Sequence, residues 1–226
     1  MFSDNFVPGE YYHVYNRGVD RRVTFTGNQD FQRFFDGMRV FNTAQDSGES
    51  ISFFRRCQRS YPVEQQLARI SSFSLIPNHF HMLLQEVCEG GISLFMQRQG
   101  NSYTKYFNRK EQRTGSLFES TYHVKHIDSQ AYLEHITRYI HLNILDLVGI
   151  DWKGQGVDDD KKALEFLKRY PWSSCYYYLN DIETPTLDLS LLRGLFSTPQ
   201  THTDFMFDYQ PTLQPDDLIF PKPVGH

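Results

Sequence analysis

Two histidines one residue apart, His79 and His81, stand in the stretch Asn78-His79-Phe80-His81-Met82-Leu83-Leu84. On a β-strand, side chains at i and i+2 share a face with their Cα atoms about 6–7 Å apart, a geometry that suits two ligands of one divalent ion. Phe80 faces the other way, with Ile76, Met82 and Leu84 as its apolar company. Two histidines on a sheet face need hold no metal, so the pair alone leaves both readings open. A second group narrows them. Tyr132, His135, Tyr139 and Asn143 recur at steps of three and four and share one helical face. A phenol beside a carboxamide suits a nucleophile that attacks phosphate while the amide completes the coordination of an ion; an aromatic helix seam uses the same spacing. A phenol of pKa about 10 is a weak nucleophile at neutral pH. Mg²⁺ or Mn²⁺ would help by polarising a phosphate oxygen and steadying the leaving 3′ oxygen. Imidazole favours Mn²⁺ and cellular abundance favours Mg²⁺, and the sequence does not choose.

A nucleic-acid surface is suggested by the segment 97–113, where Arg98, Lys105, Arg109, Lys110 and Arg113 interleave with Tyr103 and Tyr106. Basic groups can track phosphates and aromatics can stack on unpaired bases, although a solvated helix face has the same composition. Arg17, Arg21 and Arg22 form a second basic group, with Asp20 among them.

The elements that must position these residues follow from pattern. A β-prone run over 11–16 ends in the turn-forming Asn16-Arg17-Gly18. Asn28 to Gln45 has Phe31, Phe34, Phe35, Met38 and Phe41 at helical spacing, with Asn28 as N-cap. Ile70 to Gln85 is two strands divided by Pro77-Asn78. A helix over Ile92 to Arg109 follows, then a strand over Tyr122 to Ile127. Asp128 or Ser129 then caps a helix running to Leu145, whose stripe is Leu133, Ile136, Ile140 and Ile144. The order β-α-β-β-α-β-α predicts an α+β fold, one antiparallel sheet with helices packed on it in the split-βαβ manner.

The chain of 226 residues is 39% hydrophobic, enough to bury a full core and to exclude disorder. Its net charge of −4 argues against a generally basic coat for nucleic acid or membrane. The charge is uneven: residues 1–145 carry 16 basic and 14 acidic side chains, residues 146–226 carry 7 and 13. Cys57, Cys88 and Cys175 form no Cys-x-x-Cys pair, which points away from a disulfide framework or a thiolate zinc site and towards a reducing cytoplasm. With no membrane span and no signal-peptide pattern, the expected location is cytoplasmic. From about Asp181 the Thr-Pro and Gln-Pro content suggests a segment wrapped over the domain. The expected division is a domain over 1–180 and an extension over 181–226 that packs on it or is in part flexible.

Five collinear segments resemble one family, the single-tyrosine HUH transposases (IS200-like), and within it the REP-associated tyrosine transposase branch. They are Tyr12-His13-Val14-Tyr15-Asn16-Arg17-Gly18; Ile76-Pro77-Asn78-His79-Phe80-His81-Met82-Leu83-Leu84; Tyr106-Phe107-Asn108-Arg109 with Gly115-Ser116-Leu117-Phe118-Glu119; Arg138-Tyr139-Ile140-His141-Leu142-Asn143; and Tyr170-Pro171-Trp172-Ser173-Ser174. The resemblance implies a ferredoxin-like or RRM-like sheet, His79 and His81 as metal ligands, Asn143 as the third ligand and Tyr139 as nucleophile. It further implies attack on single-stranded DNA near a hairpin, a 5′-phosphotyrosine link, a freed 3′-hydroxyl and later resealing without ATP. A monomer is favoured over a homodimer. Two departures stand out: the family's usual Asn-Pro is Asn143-Ile144, and a common Gly-Arg is Ser120-Thr121. Two other readings remain: a DNA or RNA hairpin-binding module that does not cut, and a hydrolase in which metal-bound water attacks.

Overall fold

The computed structural model describes residues 6–44 and 65–209. Four strands, β1 (Tyr11–Arg17), β2 (Ala68–Ile76), β3 (His79–Glu86) and β4 (His123–Ile127), form one sheet in the order β2-β3-β1-β4. β1 pairs antiparallel with both β3 and β4, and β2 pairs antiparallel with β3. Helices α1 (Asn28–Val40), α2 (Gly91–Lys110) and α3 (Gln130–Leu142) alternate with the strands as the sequence order predicts, a ferredoxin-like α+β fold. Five shorter helices follow: α4 (Trp152–Gln155), α5 (Asp160–Leu167), α6 (Ser174–Leu179), α7 (Ser190–Leu195) and α8 (Pro199–Phe207). Among the described residues, no helix is long and apolar enough to cross a membrane.

Alternation along the strands separates two cores. Tyr12, Val14, Phe73, Leu75, Phe80, Met82 and Leu84 join Phe34 and Met38 of α1 and Phe95 and Tyr103 of α2 in one cluster. Leu83, Ile127 and Ile76 join the stripe of α3, and Leu189, Leu192 and Met206 of the tail, in the other. Each fully buried side chain of this size stabilises the fold by about 1.5–3 kcal/mol. Ile76 corrects an expectation. It lies opposite His79 in the register, and directly opposed residues share a face, so it sits on the histidine side and not with Phe80.

Helix boundaries also depart from the pattern. Gly27, not Asn28, is the N-cap of α1, because the carboxylate of Asp30 takes the Thr26 N–H and hydroxyl. The helix stops at Val40, since the Asn42 side chain is committed to the backbone of Leu67 and Ala68; Gln45, its expected end, lies outside the described residues, as does Cys57. Ser129 caps α3 by accepting the Tyr132 N–H. Instead of reaching Leu145 as an α-helix, α3 ends at Leu142 and tightens into a 3-10 segment over Asn143–Val148, where Ile144 replaces the expected helix-stopping proline.

The Tyr170–Ser174 segment lies along the outer edge of β2. Leu75 N–H donates to Trp172 O, Tyr170 Oη donates to Leu75 O, and Phe73 N–H donates to Ser174 Oγ. Farther along, Asp188 N–H donates to Ile70 O. Residues 181–209 thus pack on the sheet and contribute to its second core.

Candidate active site

β1 and β3 place their chemistry on the face covered by α3. In the register Arg17 faces His79, Tyr15 faces His81 and His13 faces Leu83, so His13, Tyr15, Arg17, His79 and His81 share that face. The turns that end these strands are tied together. Gly18 N–H donates to Asn78 O at 2.8 Å, and Thr24 and Phe25 N–H donate to Pro77 O. Asn16 Nδ2 donates to Ser120 O and Thr121 O, holding the loop before β4. A side chain at Gly18 would run into the Arg22 carbonyl oxygen, so this close approach requires glycine.

The rings of His79 and His81 stand 5.2 Å apart between centroids. Asn78 Oδ1 lies 2.6 Å from His79 Nδ1, which therefore carries the proton and leaves a lone pair on Nε2. That Nε2 lies 3.1 Å from Asn143 Nδ2. His81 Nδ1 lies 2.9 Å from His13 Nε2. When His81 donates in this bond its Nε2 is left to coordinate, the partnership metal-ligating histidines ordinarily have. Burial, then Arg17 and Lys153, hold His79 down at about 3. His81 is lowered well below the ordinary histidine range by burial, then by His13 and His79. His13 is held at about 3 by burial, then Lys125 and His135. All three are neutral at pH 7, the form that binds metals. Two neutral imidazoles and a carboxamide are a fitting donor set for a divalent cation of the Mg²⁺ or Mn²⁺ kind. Coordination by Asn143 calls for its Oδ1, which Lys153 Nζ now holds at 3.2 Å.

Tyr139 comes to the same place from α3. Its ring stands edge-on to His81 at 5.2 Å between centroids, 6.4 Å from His13 and 5.6 Å from Trp152. Lys153 Nζ lies 5.6 Å from the Tyr139 ring centroid and makes an ion pair with Asp146 at 2.8 Å. The hydroxyl is buried, and Trp152 and Lys153 pack against the ring that carries it. His79, His81, Tyr139 and Asn143 are therefore brought together. His135 is buried and close enough to bear on His13, and its own pKa is lowered to about 4 by burial, then Arg138. Tyr132, on the same helix face, is pushed up to about 12 by burial, then Tyr15 and Asp128.

The two basic groups part company. Arg17 ends β1 opposite His79, and Arg21 and Arg22 follow it, with Asn78 Nδ2 donating to Arg21 O. Helix α2 packs on the opposite sheet face, so its basic residues do not line the histidine site. Several of them are committed to structure, which corrects the expectation of an open basic and aromatic stripe. Tyr103 is buried and its hydroxyl donates to Thr24 O, so its ring is not available to a base. Tyr106 donates to Asp30, and Lys110 pairs with the same buried carboxylate at 2.8 Å. Arg98 donates to Thr43 O, and Arg113 to Asn108 and Ser116 O. Lys105 and Arg109 remain beside an open groove of about 770 Å³ between α1 and α2.

Sequence reasoning missed His13, Trp152 and Lys153 as site residues. His13 had a signal, since it alternates with Tyr15 and Arg17 on one strand face. Trp152 and Lys153 stand on a four-residue helix with no periodicity to read.

Residues 40–143 match the family model described as "Transposase IS200 like", a span that includes His79, His81, Tyr139 and Asn143 but leaves out β1 and His13. Curated proteins give no sequence match. Among solved structures, the chain is similar to one described as "Structure of the REP associates tyrosine transposase bound to a REP hairpin", at 12% identity and a TM-score of 0.48, over 84% of this chain and 93% of that one.

Proposed function

We propose, from the match of residues 40–143 to the IS200-like transposase family model, that this chain cuts and rejoins single-stranded DNA at or near a hairpin, with Tyr139 as nucleophile. His79, His81 and Asn143 would hold the divalent cation, Mg²⁺ or Mn²⁺. The observation that carries this reading is the convergence of Tyr139 on His81 at 5.2 Å and of Asn143 on His79 at 3.1 Å, across two elements far apart in sequence. The catalytic domain is assigned to residues 1–180 and the extension to 181–226, acting as a monomer in the cytoplasm.

When bound, the cation polarises a non-bridging phosphate oxygen and steadies the leaving 3′ oxygen. Everything else falls to side chains. The Tyr139 oxygen bonds to phosphorus as the bond to the 3′ oxygen breaks. The phenol loses one proton and the leaving oxygen gains one, so the step is proton-neutral and leaves a 5′-phosphotyrosine. The Lys153 ammonium, 5.6 Å from the centre of the Tyr139 ring, lowers the cost of negative charge developing on the phenol. Arg17, Arg21 and Arg22 receive the strand's phosphates at the His79 end. Attack by a 3′-hydroxyl on the phosphotyrosine reverses the chemistry and reseals a strand. Because the phenol hydroxyl is buried, a strand reaches it only after the side chains that cover it shift.

That burial also favours a second reading, a hairpin-binding module that no longer cuts. A covalent adduct separates the two. The full chain is incubated with Mn²⁺ or Mg²⁺ and labelled hairpin-bearing single strands, then denatured. A denaturation-resistant protein–DNA band that vanishes in Tyr139→Phe is expected. Binding with no band supports the module, and cutting that survives Tyr139→Phe removes the phenol from the mechanism and points to a water nucleophile.

A further inference from the structure

A second group of metal-capable side chains lies on the other side of α3. His141 is two residues past Tyr139, a turn of about 200° on a helix, so it points away from the first site. It is fully buried, with Nδ1 3.0 Å from His202 Nε2 on α8 and Nε2 2.7 Å from Ser174 Oγ on α6. Cys175, the next residue of α6, is fully buried as well. One donor atom from each of His141, Cys175 and His202 lies within 4.8 Å of the other two. Donors around a tetrahedral zinc ion, with bonds of about 2.0–2.3 Å, sit some 3.3–3.8 Å apart, so small side-chain adjustments close this group onto one ion.

The hydrogen bonds prepare the donors. Ser174 Oγ accepts from Phe73 N–H and reaches both Phe73 O at 3.2 Å and His141 Nε2 at 2.7 Å; when its proton goes to Phe73 O, His141 Nε2 is the donor to Ser174. In that tautomer His141 Nδ1 keeps its lone pair and accepts from His202 Nε2–H, so a bound cation takes the His202 tautomer whose proton lies on Nδ1. The arrangement matches the backing that fixes the tautomer of metal-bound histidines. His202 Nδ1 is buried with no hydrogen-bond partner among the described residues, so the hydrogen bonds of the protein alone leave this cluster incomplete. Burial keeps both imidazoles neutral and pushes the Cys175 thiol up, so the thiolate forms only with a cation beside it.

We propose that His141, Cys175 and His202 form a structural site for a borderline-soft divalent ion of the zinc class, separate from the His79–His81 site, which pins α8 to the helix that carries Tyr139. A thiolate with two imidazoles selects zinc over Mg²⁺ or Mn²⁺, and a small ligand fills the fourth position.

Cobalt(II) is the optical probe. The full chain, stripped with a chelator, is titrated with Co²⁺ and then with Zn²⁺. The expected result is one equivalent of Co²⁺ giving thiolate-to-metal absorption in the near ultraviolet, bleached by one equivalent of Zn²⁺. The signal should persist in the His79→Ala/His81→Ala variant and in Cys57→Ser/Cys88→Ser, and vanish in Cys175→Ser. Zn²⁺ should raise the melting temperature of the parent chain but not of His202→Gln. Absence of thiolate absorption in the parent chain would overturn the proposal. So would its loss in Cys57→Ser/Cys88→Ser, a result that decides the matter even if Cys175→Ser does not fold.

Discussion

Helix α3 has a histidine group on each side, and the two differ in exposure, in neighbouring charge and in their third donor. Both keep their imidazoles neutral by desolvation. On the sheet side, His79 is partly exposed, Arg17 and Lys153 stand close, and the remaining donor is a carboxamide. On the tail side, His141 and His202 are fully buried and the remaining donor is a thiol. Burial prepares a histidine for a metal but does not say what the metal is for. The surroundings and the third donor do: a site with cations nearby and one histidine at the surface suits a phosphate, and a closed site with sulfur suits a fastening.

The largest expected effect strikes both groups at once. His13, His79 and His202 sit at about 3 and His135 at about 4, below the unfolded value near 6.5. The unfolded chain therefore takes up protons first. The stability these groups contribute is fully present above pH 6.5 and lost as pH falls towards their folded values. Each group loses up to about 1.4 kcal/mol per pH unit in that window. Urea denaturation at pH 7.5 and 5.5 should show a steep loss; equal midpoints would mean that the histidines titrate normally.

Substitution should then separate the two groups. His79→Ala or His81→Ala is expected to reduce DNA cleavage by about 10²–10³-fold, the scale of losing an electrostatic stabiliser of the transition state, while hairpin affinity by gel shift stays within about threefold. Equal loss of binding and cleavage would reassign these histidines to DNA contact. His13→Ala should weaken Mn²⁺ affinity, read by calorimetry, by about 10–100-fold, the usual cost of removing a ligand's hydrogen-bond partner. Unchanged affinity would show that the 2.9 Å bond to His81 does not orient the ligand. The smallest effect contrasts the basic groups: Arg17→Ala should weaken hairpin binding about tenfold, and Lys105→Ala by less than about twofold, because α2 lies on the opposite sheet face. The reverse order would put the DNA in the groove between α1 and α2.

The element order and the pairings of His79 with His81 and of Tyr139 with Asn143 were legible in the sequence, because strand alternation and helical spacing are local rules that survive folding; that the two pairs meet was implied only by the resemblance. The resemblance over the five segments added roles that spacing alone left open. What could not be read depends on tertiary partners. Ile76 changed sides because its face is set by pairing with His79 across a tight turn. Tyr103 and Lys110 looked like a binding stripe until the buried Asp30 and the Thr24 carbonyl claimed that surface. The His141–Cys175–His202 group draws on three helices, and no motif spacing connects them. Cys175, one of three scattered cysteines, carried no sign of a partner.

The outer edge of β2 has a consequence for how copies of this chain meet. Its outward N–H and C=O groups at Phe73 and Leu75 are already taken by Tyr170, Trp172 and Ser174. A foreign strand arriving there finds no template to extend. Among the described residues, edge-to-edge joining of sheets is thereby blocked over this part of β2, and the five-residue β4 is the other border.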